Sequence, residues 1–349
     1  MDEEQPERKR RVRYQGKHPR RFAEKYKEHN PEKYAADIEK VLKSGQTPAG
    51  MHRPILVPEV LQALTPGPGQ TGLDATLGYG GHARELLDRV KPGGRLFALD
   101  VDPIEIDRTE ARLRGLGYTE SELVIRRLNF AGIPKILAEA GGGFDFILAD
   151  FGVSSMQLDN PERGFTFKDE GPLDLRFNPG RGQPAFALLR SLSEEALEKT
   201  LYVNSDEPHA RLIAMTVFEK RNVITTTTAL ADAVREALPW GRDPAADKET
   251  TKSIRRTFQA LRIMVNDEFS ALEQFLRNLP ACLKPGGRAA VLSFHSGEDN
   301  RVVKFFSEGI EAGIYADFSR EPVRANYEEC YANPRAKSAM LRWAMKAAG

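Results

Sequence analysis

Apolar positions along this chain change rhythm twice. Between residues 71 and 150 they form short runs rich in β-branched and aromatic residues, separated by segments with a helical repeat. The pattern predicts strands at 71–77, 95–100, 123–128 and 144–150, and helices at 82–90, 103–115 and 131–140. Alternation at this spacing builds βα units, hence a mostly parallel, doubly wound sheet with helices on both faces. After residue 184 helical spacing takes over, at 184–190, 193–203, 207–220, 228–237 and a long segment near 252–280. In the last, Ile254, Phe258, Leu261, Val265, Phe269, Leu272, Leu276 and Leu279 mark one buried face. Ser191 and Glu194 have capping-box spacing at the head of the second helix. The strand pattern returns at 288–294, followed by a helix near 298–308 and a last apolar run at 340–345. Lys-Pro-Gly-Gly-Arg stands at both 91–95 and 284–288, each time as a turn feeding a strand.

These changes divide the chain. Residues 51–158 and 266–349 read as one α/β domain. Residues 159–265 read as an insertion: a loop rich in Gly, Pro, Asp and Arg to about 183, then helices. Lys252, Arg255, Arg256 and Arg262 near the start of the long helix suit a substrate module or a solvated face equally well. Residues 1–50 are a polar extension with one short helical pattern at 34–42.

Composition adds one feature. The net charge is +1, yet residues 8–21 hold eight Lys and Arg and no acid. Such a block suits a polyanion or a solvated tail. Neither a signal peptide nor an apolar run of membrane-spanning length is apparent, so a cytoplasmic protein is expected. Cys282 and Cys330 have no Cys/His cluster around them, which predicts neither a metal site nor a disulfide.

The candidate chemistry sits where strands end. Thr71-Gly-Leu-Asp-Ala-Thr-Leu-Gly-Tyr-Gly-Gly-His-Ala reads as strand, glycine turn and helix start, in which Gly80, Gly81 and Gly78 permit a ligand to approach the backbone. The next strand ends in Asp100, at the spacing of a ribose-binding acid. NAD enzymes, flavoproteins and S-adenosylmethionine (SAM) enzymes share this signature. The fourth strand runs into Asp150-Phe-Gly-Val-Ser-Ser-Met-Gln. In SAM-dependent amine methyltransferases an acid or amide at this place accepts a hydrogen bond from the target amine. Ser154, Ser155 and His295, just beyond the strand at 288–294, are further candidates for orienting it.

Beyond these readings, His52-Arg-Pro-Ile-Leu-Val-Pro-Glu-Val, Thr76-Leu-Gly-Tyr-Gly-Gly-His, Asp150-Phe-Gly-Val-Ser-Ser-Met-Gln-Leu-Asp, Arg163-Gly-Phe-Thr-Phe, Gly171-Pro-Leu-Asp-Leu-Arg, Arg256-Thr-Phe-Gln-Ala-Leu-Arg-Ile, Ser293-Phe-His-Ser and Asn333-Pro-Arg-Ala-Lys-Ser-Ala resemble, in order, the RsmH (MraW) family. The resemblance spans about residues 52–345. It implies a Rossmann-like SAM-dependent methyltransferase fold with an inserted helical domain, and methylation of the exocyclic N4 of a cytidine at the decoding centre of 16S rRNA. The implied partner is 16S rRNA in the small ribosomal subunit, with no membrane and with monomer or homodimer left open. The implied SAM contacts are Gly80, Gly81, His82, Asp100, Phe130, Asp150 and Gln157; of these, His82, Phe130 and Gln157 come from the resemblance alone. Two alternatives stand beside it: a non-catalytic SAM-binding ribosome-assembly factor and a Rossmann dehydrogenase.

Overall fold

A computed structural model describes residues 54–241 and 243–349. The basic block at 8–21 and the short helical pattern at 34–42 lie outside the described residues.

The chain enters through α1 (Val57–Leu64), then alternates β1 (Thr71–Asp74), α2 (Gly81–Val90), β2 (Arg95–Asp100), α3 (Pro103–Gly115), β3 (Leu123–Arg127), a 3-10 turn at Phe130–Ile136 with α4 (Leu137–Ala140), and β4 (Phe144–Asp150). A short helix, α5 (Ser155–Asp159), follows. Then come α6 (Ala185–Ser191), α7 (Glu194–Ser205), α8 (Ala210–Lys220), α9 (Thr227–Ala237), α10 (Asp247–Asn266) and α11 (Glu268–Cys282). The chain closes with β5 (Leu283–Ser293), α12 (Ser296–Glu311), β6 (Tyr315–Phe318), α13 (Tyr327–Ala332) and β7 (Met340–Lys346).

The strands form one seven-stranded sheet in the order β3-β2-β1-β4-β5-β7-β6. β1 to β5 pair in parallel, and β7 runs antiparallel to both its neighbours. Both faces are covered, which is why the central strands are apolar at nearly every position and not only at alternate ones. Leu73, Phe97, Ile147 and Val291 pack with Leu272, Phe275 and Leu276 of α11 on one face. Leu96, Ala98, Phe146 and Leu148 pack with Leu86 and Leu87 of α2 on the other. A third apolar cluster, from Phe165 to Leu261, is built by α6 to α10 and the loop before them.

Several expected elements differ. β1 stops at Asp74 because the Asp74 carboxylate takes the N–H of Thr76 at 3.0 Å and turns the chain. The helix expected at 131–140 opens as 3-10, with Pro134 inside it unable to donate to a helical ladder. The helix expected at 252–280 is two helices, broken where Asp267 adopts a left-handed conformation (φ 49°). The helix α7 is capped by Ser193, whose hydroxyl accepts from Ala196 N–H, and not by Ser191, which donates to Leu188 O.

Candidate active site

β1 and β4 are neighbours, but the chain leaves them toward opposite edges of the sheet, so their carboxyl ends open a crevice at a topological switch point. Asp74 ends one strand and Asp150 the other. Thr76 ties the two together: its N–H donates to Asp74, and its hydroxyl accepts the Asp150 N–H at 2.6 Å. Burial, reinforced by the charges of Asp74 and Glu298, pushes the Asp150 carboxyl up to about 8. Asp74 is pushed up to about 7, chiefly by burial. Two desolvated carboxyls so close resist both being ionised.

The glycine turn lies beside them. Gly78 (φ 49°) donates its N–H to Asp100 Oδ2 at 2.7 Å, and Gly80 (φ 73°) caps α2 from the left-handed region that favours glycine. A Cβ on Gly80 would stand 3.0 Å from Thr109 Cγ2, and one on Gly81 3.0 Å from Pro54 Cγ. Side chains at Gly80 and Gly81 would crowd these neighbours, while at Gly78 it is the positive φ and not space that favours glycine. Asp100 Oδ1 accepts the Asp102 N–H at 2.9 Å. The Val101 N–H also bonds this carboxylate, which with about four lone-pair sites keeps capacity for an outside donor.

His82, in the first turn of α2, is buried, with Nε2 3.7 Å from Asp150 Oδ2. Burial holds this imidazole down to about 4, so it is neutral around pH 7. Its Nε2 has no hydrogen-bond partner among the described residues. The half-buried Phe130 follows β3 and packs against Phe151 (5.0 Å between centroids) and edge-on to Phe275 (5.7 Å), forming an apolar wall.

Beyond β4, Ser154 serves as the N-cap of α5, its hydroxyl accepting from Gln157 N–H at 3.2 Å, and Ser155 is the first residue of that helix. Gln157 is turned inward: Oε1 accepts from Ser154 N–H and Nε2 donates to Asp102 Oδ2 at 2.7 Å. Asp102 also receives Arg163 Nη1 at 2.7 Å and caps α3. Gln157 therefore braces the crevice through Asp102. At the end of β5, His295 Nε2 lies 3.2 Å from Glu298 Oε1, and its ring tilts against Phe269. Burial would raise the Glu298 carboxyl, but His295, Arg262 and the Phe294 N–H outweigh it and hold it low.

Of the arginines near the long helix, Arg262 is held by Glu268 in a two-point pair at 2.7 and 2.8 Å, and Lys252 is paired with Glu249. Three residues of the site were not singled out from sequence: Asp74, Asp102 and Glu298. Asp74 left a trace, a lone acid inside an apolar run, whereas Asp102 and Glu298 read as ordinary polar positions.

Asp150 is coupled electrostatically to Asp74 and Glu298, Asp74 in turn to Asp100, and the neutral His82 stands beside Asp150. Such a set fits a ligand with a positive centre, a ribose and a flat ring to lay on an apolar wall. Fold and site together define a SAM-dependent methyltransferase. The chain belongs to the MraW methylase family, whose model matches residues 49–347.

Ribosomal RNA small subunit methyltransferase H 2 of Alkaliphilus metalliredigens is 52% identical over 99% of this chain and 100% of its own length. Ribosomal RNA small subunit methyltransferase H 1 of Agathobacter rectalis is 52% identical over 99% of each. The ribosomal RNA small subunit methyltransferase H of Halorhodospira halophila is 40% identical over 84% of this chain and 94% of its own length. The first two alignments take in nearly the whole extension before residue 49, which the family model leaves out.

Proposed function

We propose that this enzyme methylates the exocyclic N4 amine of a cytidine at the decoding centre of 16S rRNA within the small ribosomal subunit. The observation that carries the chemistry is Asp150: an acceptor at the switch point, with its carboxyl raised to about 8, beside a cradle for a cationic cofactor. Support for the substrate comes from the ordered motifs and from relatives whose names specify small-subunit rRNA. SAM supplies a methyl already activated on a sulfonium.

The chain's residues have four tasks. Gly80 and Gly81 keep the turn open, and Asp100 accepts from ribose hydroxyls. Phe130 gives the adenine an apolar wall. Asp150 accepts an N–H of the target amine, which leaves the nitrogen lone pair aimed along the methyl's line of transfer. The proton lost as the new N–C bond forms passes to an Asp150 oxygen, whose raised affinity for protons suits it to the role. His82, uncharged at 3.7 Å, steadies that carboxylate without neutralising it. His295 acts from a distance, by keeping Glu298 charged and so the Asp150 carboxyl high. Ser154 and Gln157 hold the loop that carries Asp150.

The target base must be unpaired or splayed to reach this crevice. Incubating the enzyme with labelled SAM and small subunits that lack the mark should label the RNA at N4 of one cytidine. Label on protein, or on another atom of the RNA, would refute the assignment.

A further inference from the structure

Tyr327 and Tyr331 are 83% and 80% exposed, more than any other large apolar residue among those described. They stand one helical turn apart on α13, with ring centroids 6.4 Å apart and planes 23° from parallel. Two near-parallel rings turned to water add little to the stability of the fold, and exposed aromatics of this kind mark interaction surfaces.

Their helix is pinned at the rim of the crevice from two sides. Glu329, between them on α13, accepts the N–H of Leu56 at 2.8 Å, two residues after the Pro54 that packs on Gly81 of the cofactor turn. Beyond the helix, Arg335 Nη2 donates to Asp159 Oδ1 at 3.1 Å, at the end of the α5 helix that follows the Asp150 loop. Before it, Val323 and Leu341 exchange backbone hydrogen bonds at 3.0 and 2.9 Å, which fastens the segment to β7. The platform is thus fixed relative to both the cofactor turn and the acceptor. With Arg335 and Asp159 paired, Arg320, Arg324 and Lys337 are matched along residues 320–337 by Glu321, Glu328 and Glu329, so the rim carries no net negative charge to repel a phosphate backbone.

The geometry points to Tyr327 and Tyr331 as a stacking platform for unpaired bases that flank the target nucleotide in single-stranded RNA. This inference rests on the proposed RNA substrate. A splayed nucleotide leaves its neighbours unstacked, and exposed aromatic faces are a usual means of receiving such bases without reading their sequence.

The test uses the full chain with Tyr327→Ala/Tyr331→Ala and Tyr327→Phe/Tyr331→Phe. Methyl transfer to small subunits and binding of a short single-stranded oligocytidylate are both measured. Loss of two stacking faces should raise the KM for subunits about tenfold to a hundredfold and weaken oligonucleotide binding similarly, while kcat and SAM affinity stay within about threefold. The phenylalanine pair keeps its ring faces and should behave as wild type. Unchanged KM and oligonucleotide affinity in the alanine pair would overturn the platform. So would an equal loss in the phenylalanine pair, which would point to the hydroxyls. A raised KM with unchanged oligonucleotide binding would overturn it too, by assigning the patch to a protein of the subunit. If the wild type labels no subunit RNA, the proposed function falls, and the oligonucleotide arm still judges the platform.

Discussion

In the proposed reaction Asp150 bears the largest demand of any single side chain, since it would orient an amine and receive its proton. Asp150→Ala should lower kcat by on the order of a hundredfold or more while SAM still binds, read by single-turnover transfer and calorimetry. Its raised carboxyl also has a pH signature. The active form is the carboxylate, so kcat/KM should rise with pH toward an inflection near 8. The Asp74 charge is one cause of that position, so Asp74→Asn should move the inflection down. An inflection that does not move would show that burial alone sets it. The same shifts govern stability. Asp74 and Asp150 favour the fold fully below their ordinary value of 3.8, and that contribution is lost as pH rises through about 7 and about 8. Asp74→Asn should flatten this loss in thermal melts taken between these pH values.

At the scale of elements, legibility followed the kind of signal each element leaves. β2, α3 and β4 were readable to the residue, because apolar runs and the helical repeat between them mark their extents. The placement of the glycine turn, Asp100 and Asp150 at the carboxyl ends of strands was readable because each follows directly on an apolar run. The break at Asp267 was not. The apolar stripe from Ile254 to Leu279 runs through both helices, and the bend is made by a backbone conformation and by the Arg262–Glu268 pair that straddles it. β6, four residues with two exposed, left no periodicity. Asp102 was invisible as a hub because its partners Gln157 and Arg163 lie 55 and 61 residues away. The left-handed Asp267 yields a prediction. Asp267→Gly should hold or raise the melting temperature, and Asp267→Val should cost about 1–3 kcal/mol, measured by denaturant unfolding.

For the whole molecule, the family model matches residues 49–347, whereas the two relatives at 52% identity align over 99% of the chain and so take in most of the extension before residue 49. Its eight basic residues between 8 and 21 should add sequence-independent RNA affinity. Deleting residues 1–45 should flatten the salt dependence of RNA binding, by about 0.7 in log–log slope for each phosphate no longer neutralised, and raise KM with kcat nearly unchanged. Loss of SAM binding on deletion would show that these residues belong to the catalytic unit. Among the described residues no helix is long and apolar enough to cross a membrane.

Substrate and chemistry meet in one measurement: nucleoside mass spectrometry of 16S rRNA from a strain lacking this enzyme, alongside the same strain complemented with wild type or Asp150→Ala. N4-methylation of the decoding-centre cytidine should vanish in the deletion, return with the wild type and stay absent with Asp150→Ala. Methylation unchanged in the deletion strain would contradict the substrate, and full restoration by Asp150→Ala would contradict the mechanism.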